Sequence, residues 1–159
     1  RSGSDITLVF TSFITIESLI AARYLSSVGI EVDLFDIRTV KPINTSEIFL
    51  SIKGTGRLVT VDIGHVKYGI GAEIIAEIMT KDQSLVKHNV IRLGLPDHPV
   101  PSSRSLVVDT YPTALSIFSA VAKSFNIESK KIEQKLLEIS NERSNVPNDI
   151  PHPSFTGPF

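Results

Sequence analysis

The sequence predicts an α/β fold, a doubly wound and mainly parallel sheet with helices on both faces. Three observations carry that prediction. The stretch "ITLVF" at residues 6–10 is a nearly unbroken apolar, largely β-branched run, the composition of a strand covered on both sides. Comparable runs recur along the chain and alternate with helical periodicity at a spacing of about 25 residues. Each connection is long enough for a right-handed crossover between parallel strands.

Taken in order, Ile6 to Phe10 form the first strand, and Thr11 and Ser12 turn the chain. From Thr15 to Val28 the apolar residues Ile16, Leu19, Ile20, Tyr24, Leu25 and Val28 recur at three and four, with Thr15 as the expected N-cap and Gly29 past the end. Ile30 to Ile37 alternates apolar and acidic residues before becoming mainly apolar, a strand with one partly exposed stretch, and Pro42 ends the extended segment. Asn44 and Glu47 have capping-box spacing and open a short helix through Lys53, which Gly54, Thr55 and Gly56 terminate. "RLVTVD", residues 57–62, is the third strand. A helix follows from Gly71 or Ala72 to Met79, with Ile74, Ile75 and Ile78 inward, and Val90 to Leu93 is the fourth strand.

Pro96, Pro99 and Pro101 then impose an extended surface loop. Helices are expected from about Pro112 to Phe125 and from Glu128 to Glu142, the second on the outside of the domain with Ile132, Leu136 and Ile139 on one stripe. The tail "NVPNDIPHPSFTGPF" is proline-rich and carries two aromatic anchors, Phe155 and Phe159, suited to a groove on the same or a neighbouring chain. The expected division is an α/β domain over residues 1–125, a helix over 126–144 and a tail over 145–159.

A chain of 159 residues fits one domain, and at that size about 70% of the unfolded chain's surface is buried, enough for a core without staples. With 16 basic and 17 acidic residues the net charge is −1, which gives no bulk attraction for nucleic acid or an anionic membrane. Hydrophobic residues make up 42% of the chain, so some apolar surface is available to a partner. Zero cysteines exclude disulfides and thiolate metal sites, and cytoplasm is the default location. The start at Arg1, followed by Ser2, Gly3 and Ser4, reads as a linker remnant or a cut inside a longer protein, with neither a leader nor a spanning segment expected.

The stretch "VDIGHVKYGIGAEIIAEIM", residues 61–79, runs from a strand through a glycine-rich turn into a helix, the usual geometry of a phosphate cradle. Its details oppose that use. Gly71 is followed by Ala72 and Glu73 instead of Lys and Ser or Thr, Ile74 stands at the third glycine position of a dinucleotide fingerprint, and Glu73 puts a carboxylate in the first turn. The expectation is that Gly64, Gly69 and Gly71 allow close contact between chain segments. Neither His65, His88, His98 nor His152 shares a helix face with a second metal ligand at i, i+4 spacing. Asp97 and His98 are adjacent in an extended loop and point apart, Ser102 and Ser103 lack a nucleophile elbow, and Arg38 is expected to pair with Asp36 or Asp62. No catalytic, cofactor-binding or metal-binding residue is assigned.

Five blocks, "SDITLVFTS", "AARYLSSVGIEVDLFDIRTVKPIN", "TGRLVTVD", "GIGAEIIAEI" and "LPDHPVPSS", stand in the order and spacing of a known family. Over residues 4–125 the chain resembles the C-terminal domain of the transketolase superfamily, closest to the beta subunit of thiamine-diphosphate-dependent 2-oxoacid dehydrogenases. The resemblance implies a parallel α/β module that serves subunit association. Thiamine diphosphate and Mg would belong to other domains of the parent enzyme, since the Gly-Asp-Gly metal and diphosphate motif is absent from this sequence.

The resemblance further implies a second copy or a partner subunit of the same enzyme as the binding partner, with an acyltransferase component as a further candidate. The interface residues expected are Gly64, His65, Gly69, Gly71, Asp97 and His98. Two departures from the family pattern stand at strand ends: Ser12 where the family usually has glycine, and Ile63 where it usually has an acidic residue. A stand-alone nucleotide or small-anion binding module is the rival reading.

Overall fold

The structure is a computed structural model that describes residues 2–107, 110–143, 147 and 150–155. Four parallel strands, β1 (Ile6–Thr11), β2 (Val32–Ile37), β3 (Leu58–His65) and β4 (Ile91–Leu95), form one sheet in the order β2-β1-β3-β4. Ile6 lies opposite Val32, Thr7 opposite Leu58 and Val59 opposite Ile91. The helices are α1 (Ile14–Ser26), α2 (Ser46–Thr55), α3 (Ile70–Asp82), α4 (Ala114–Ser124) and α5 (Ser129–Glu142). The chain steps from β1 to β2 in one direction and from β2 past β1 to β3 in the other. Right-handed crossovers then put α1 and α2 on opposite faces, as the predicted doubly wound fold requires.

Alternation along β1 shows both faces covered. Ile6, Leu8 and Phe10 pack with Ile14, Ala21 and Leu25 of α1 and with Ile117, Phe118 and Val121 of α4, while Ile132 and Ile139 of α5 join the same cluster from outside. Val9 faces the other way and packs with Ile48 and Ile52 of α2 and Ile74 and Ile78 of α3. Each such side chain contributes about 1.5–3 kcal/mol by leaving water. Thr7 also points to the second face, fully buried, and its hydroxyl meets Ser51 and Thr55 of α2 at 2.7 and 2.8 Å.

Several element ends differ from the sequence reading, each for a local reason. The first helix starts at Ile14 with Phe13 in the capping position, and Thr15 lies inside it, its hydroxyl donating to the Ser12 carbonyl at 2.7 Å. Asn44 accepts from the Ser46 amide at 3.1 Å, an Asx turn in place of the capping box expected with Glu47. The reciprocal box forms at α4, between Thr113 and Ser116. The third strand runs on to His65 across a register irregularity between Val61 and His65, so Gly64 and His65 belong to the strand and not to the turn after it.

A buried ion pair ties three helices together. Glu17 in the first turn of α1 accepts from the Ala114 amide, the first of α4, at 2.7 Å, and the Arg143 guanidinium at the end of α5 donates to its other carboxylate oxygen. Both side chains are only 5% exposed, and the carboxylate sits where the α4 dipole favours an anion. One turn past α1's middle, Arg23 and the Tyr24 hydroxyl donate to Glu142 of α5. The hydrogen bond from Arg23 is the main reason the Glu142 carboxyl is held below the ordinary range.

Two predictions come from this geometry. Ser12 has φ +59°, the left-handed region that favours glycine. Ser12→Gly is expected to stabilise the domain by about 0.5–1 kcal/mol, read as a higher urea midpoint at unchanged slope. Arg143→Met alone strands the Glu17 carboxylate and is expected to cost about 3–5 kcal/mol. Adding Glu17→Gln keeps an acceptor for the Ala114 amide and should restore most of that loss in the same measurement.

Candidate functional site

All four strands end on one edge of the sheet, and the direction of winding reverses between β1 and β3. In open α/β sheets this reversal opens a crevice outside the carboxyl ends of the strands, the usual place for a ligand. Here it measures about 1010 Å³ and is lined by Thr11, Ile16, Ile37, Asp62, Ile63 and Ile70 among others, with Phe155 of the tail completing it.

Asp62, near the end of β3, organises this edge. One carboxylate oxygen accepts from the Thr11 hydroxyl and the Gly64 amide, both at 3.1 Å, and the other accepts from the Ile70 amide at 3.2 Å. Ile70 is the first residue of α3, so the protein's own carboxylate already occupies the place where a bound phosphate would meet a helix N-terminus. Glu73 adds a second negative charge to the first turn.

The glycines around it fall into two kinds. A Cβ on Gly69 would lie 2.4 Å from the His65 carbonyl oxygen, and one on Gly71 would lie 2.8 Å from the Thr60 hydroxyl oxygen. Both positions therefore require the absence of a side chain for α3 to approach β3. Gly64 differs, since its Cβ would meet nothing nearer than Asp62 Oδ2 at an ordinary 3.4 Å. Close packing explains two of the three glycines expected to act this way.

The loops after β3 and β4 are zipped into one ridge. Val66 donates its amide to the Leu95 carbonyl at 3.0 Å, and Arg92 donates to the Val66 carbonyl. His65 Nδ1 lies 2.8 Å from the Pro96 carbonyl oxygen, an acceptor only, so this nitrogen carries the proton. Lys67 Nζ sits 2.6 Å from Asp97 Oδ2 in an exposed pair. His65 and Asp97, predicted from separate segments, are thus brought onto one surface, whereas His98 turns back to its own loop and contacts the Pro99 carbonyl at 2.9 Å.

At the tip of the ridge stands Tyr68, which the sequence reading missed. Its side chain is 100% exposed and its backbone has φ +60°. A bulky residue held in the left-handed region is strained, and an aromatic in a glycine loop between strand and helix was the available signal. Val40, Val100 and Leu106, in the segments after β2 and β4, add exposed apolar surface near this edge.

The remaining candidates are occupied locally. Arg38 donates to Asp36 at 3.1 Å while 86% exposed, one of the two pairings expected and worth little at a surface. Ser103 hydrogen-bonds to Ser105 at 2.9 Å. His88 is exposed in the segment that enters β4, at the opposite edge of the sheet. Among the described residues no three His, Asp or Glu side chains converge to hold a metal ion, and no helix is long and apolar enough to cross a membrane.

Comparison with known proteins agrees with this architecture. The family "Transketolase, C-terminal domain" matches residues 1–117. Similar proteins include the mitochondrial pyruvate dehydrogenase E1 component subunit beta of Drosophila melanogaster, 38% identical over 77% of this chain and 34% of that protein. The mouse counterpart is 35% identical over 80% of this chain and 36% of that protein, and the Rhizobium meliloti (strain 1021) subunit is 31% identical over 76% and 26%. A solved split gene transketolase, an inactive beta4 tetramer, superposes with a TM-score of 0.67 at 26% identity, covering 80% of this chain and 41% of the other.

This chain spans about a third of the length of the curated relatives from fly and mouse. The expected cytoplasmic location is overturned, because the fly, mouse and human relatives are mitochondrial proteins. A lack of cysteine excludes disulfides and does not by itself assign a compartment. The fold, the family match and these relatives agree, and the chain belongs to the transketolase C-terminal domain family.

Proposed function

We propose that this domain serves subunit association in a thiamine-diphosphate-dependent enzyme of the transketolase or 2-oxoacid dehydrogenase type, with the chemistry carried by other parts of the enzyme. The observation that carries the reading is the ridge at the carboxyl edge. It is rigidly zipped, and its tip holds a fully exposed aromatic at a backbone cost. Aromatic side chains of this kind are the usual energetic anchors of protein interfaces. His65 and Asp97 would flank Tyr68 at the contact, His98 would take part through the loop it holds, and Gly64, Gly69 and Gly71 would shape the ridge from beneath.

The partner is a second copy of the chain or another subunit of the same enzyme; the relatives are E1 component beta subunits and a tetrameric transketolase. An acyltransferase component is a secondary partner under this reading. In our proposal residues 1–125 form the associating body, 126–144 an added helix and 145–159 a tail. On this reading the cofactor and its Mg belong outside this domain: the site does not suit a diphosphate, and among the described residues no three carboxylate or imidazole groups converge to hold the metal ion. Asp62 takes the α3 amide that a diphosphate would need, and its charge repels one.

Sedimentation of the purified chain is expected to show self-association, weakened by Tyr68→Ala by about 2 kcal/mol, roughly thirtyfold in the dissociation constant. A strict monomer at the highest soluble concentration would count against the proposal. Calorimetric titration with inorganic phosphate or thiamine diphosphate should give no binding heat. Micromolar affinity for either would move the assignment to the rival anion-binding module.

A further inference from the structure

The family match ends at residue 117, so α5 and the tail lie beyond it. The helix and the described part of the tail nevertheless meet the domain. Arg143 brings the end of α5 to Glu17 in the first turn of α1, and the adjoining residues Thr15 and Ile16 line the crevice between β1 and β3. Ser154 and Phe155 of the tail line that same crevice.

There the chain makes a closed turn. The Phe155 amide donates to the His152 carbonyl at 2.8 Å, the Ser154 amide donates to His152 Nδ1 at 3.2 Å, and the Ser154 hydroxyl lies 2.7 Å from the same nitrogen. Pro151 and Pro153 bracket His152 and restrict φ, which lowers the entropy lost when the segment is ordered. Phe155, half-buried, shares the crevice with the apolar side chains of Ile16, Ile37, Ile63 and Ile70. The place where such sheets usually take a ligand is thus largely apolar, with Asp36, Arg38 and Asp62 among its polar lining, and an aromatic residue of the same chain forms part of its wall. Phe159, the second aromatic expected to anchor the tail, lies outside the described residues.

We propose that the crevice at the β1/β3 reversal is a docking groove for a proline-flanked aromatic segment, and that its occupant is this chain's own tail, bound in cis through Phe155. This does not depend on the association reading, since it concerns the crevice and not the Tyr68 ridge. The chemistry of recognition is hydrophobic anchoring of one aromatic ring, with a preformed turn supplying the geometry. A tether of this kind gives an effective concentration of about 1 mM, so a peptide of about 0.1 mM intrinsic affinity would be excluded roughly tenfold by the tail.

The chain contains no tryptophan, so Phe155→Trp installs a single reporter. Its emission is expected to be blue-shifted and weakly quenched by acrylamide, independent of protein concentration. Adding Ile63→Glu should shift the emission to that of exposed tryptophan while the far-ultraviolet circular dichroism stays folded. In parallel, full-length chain carrying Phe155→Ala should bind a labelled peptide of residues 150–159 about tenfold more tightly than the unaltered chain does. A peptide with alanine in place of the phenylalanine should not bind. Exposed emission from the Phe155→Trp chain, or equal peptide binding by the two full-length chains, overturns the proposal. Loss of the blue shift on dilution overturns the cis assignment, since the tail would then belong to a second copy.

Discussion

The carboxylate of Asp62 is the constraint on which the functional edge of this domain depends. It receives hydrogen bonds from the end of β1, from its own strand and from the first amide of α3, and so fixes the sheet and the helix relative to each other where the winding reverses. A carboxylate accepting several such bonds at a helix N-terminus does the work of a bound anion. The close approach of α3 to β3, which only glycine allows at positions 69 and 71, is the steric counterpart of this electrostatic link. The loop between them is short and has little freedom left, and that rigidity lets Tyr68 stand clear of the surface in a strained conformation.

Most of the fold was legible because periodicity is a local property. The apolar runs at residues 6–10 and 57–62 and the helical stripes of α1, α3, α4 and α5 could be read in windows of a few turns. The alternation of these elements specified the winding. Boundaries were less legible, since they depend on hydrogen bonds that several residues near an end could make. Ser12 adopts a positive φ and admits the chain into α1 one residue before the expected cap. Gly64 looks like a turn residue but is carried in a strand by pairing across an irregular ladder.

The site was less legible still, because its links are remote in sequence. Asp62 caps a helix that begins eight residues later, outside any capping spacing. His65 meets a carbonyl 31 residues away, and Glu17 meets an arginine 126 residues away. The family resemblance supplied the order of blocks but said nothing of these contacts. Tyr68 showed no periodic signal, because its distinguishing feature is the absence of neighbours.

The shared carboxylate of Glu17 has a consequence for cooperativity. Because it serves the first amide of α4 and the guanidinium at the end of α5 at once, none of the three helices can open alone without leaving a buried charge or amide unsolvated. The outer helix, although beyond the family core, is therefore coupled to the sheet's first crossover as part of one foldon. Fraying at the end of α5 is resisted by the interior of the domain and is not a local event.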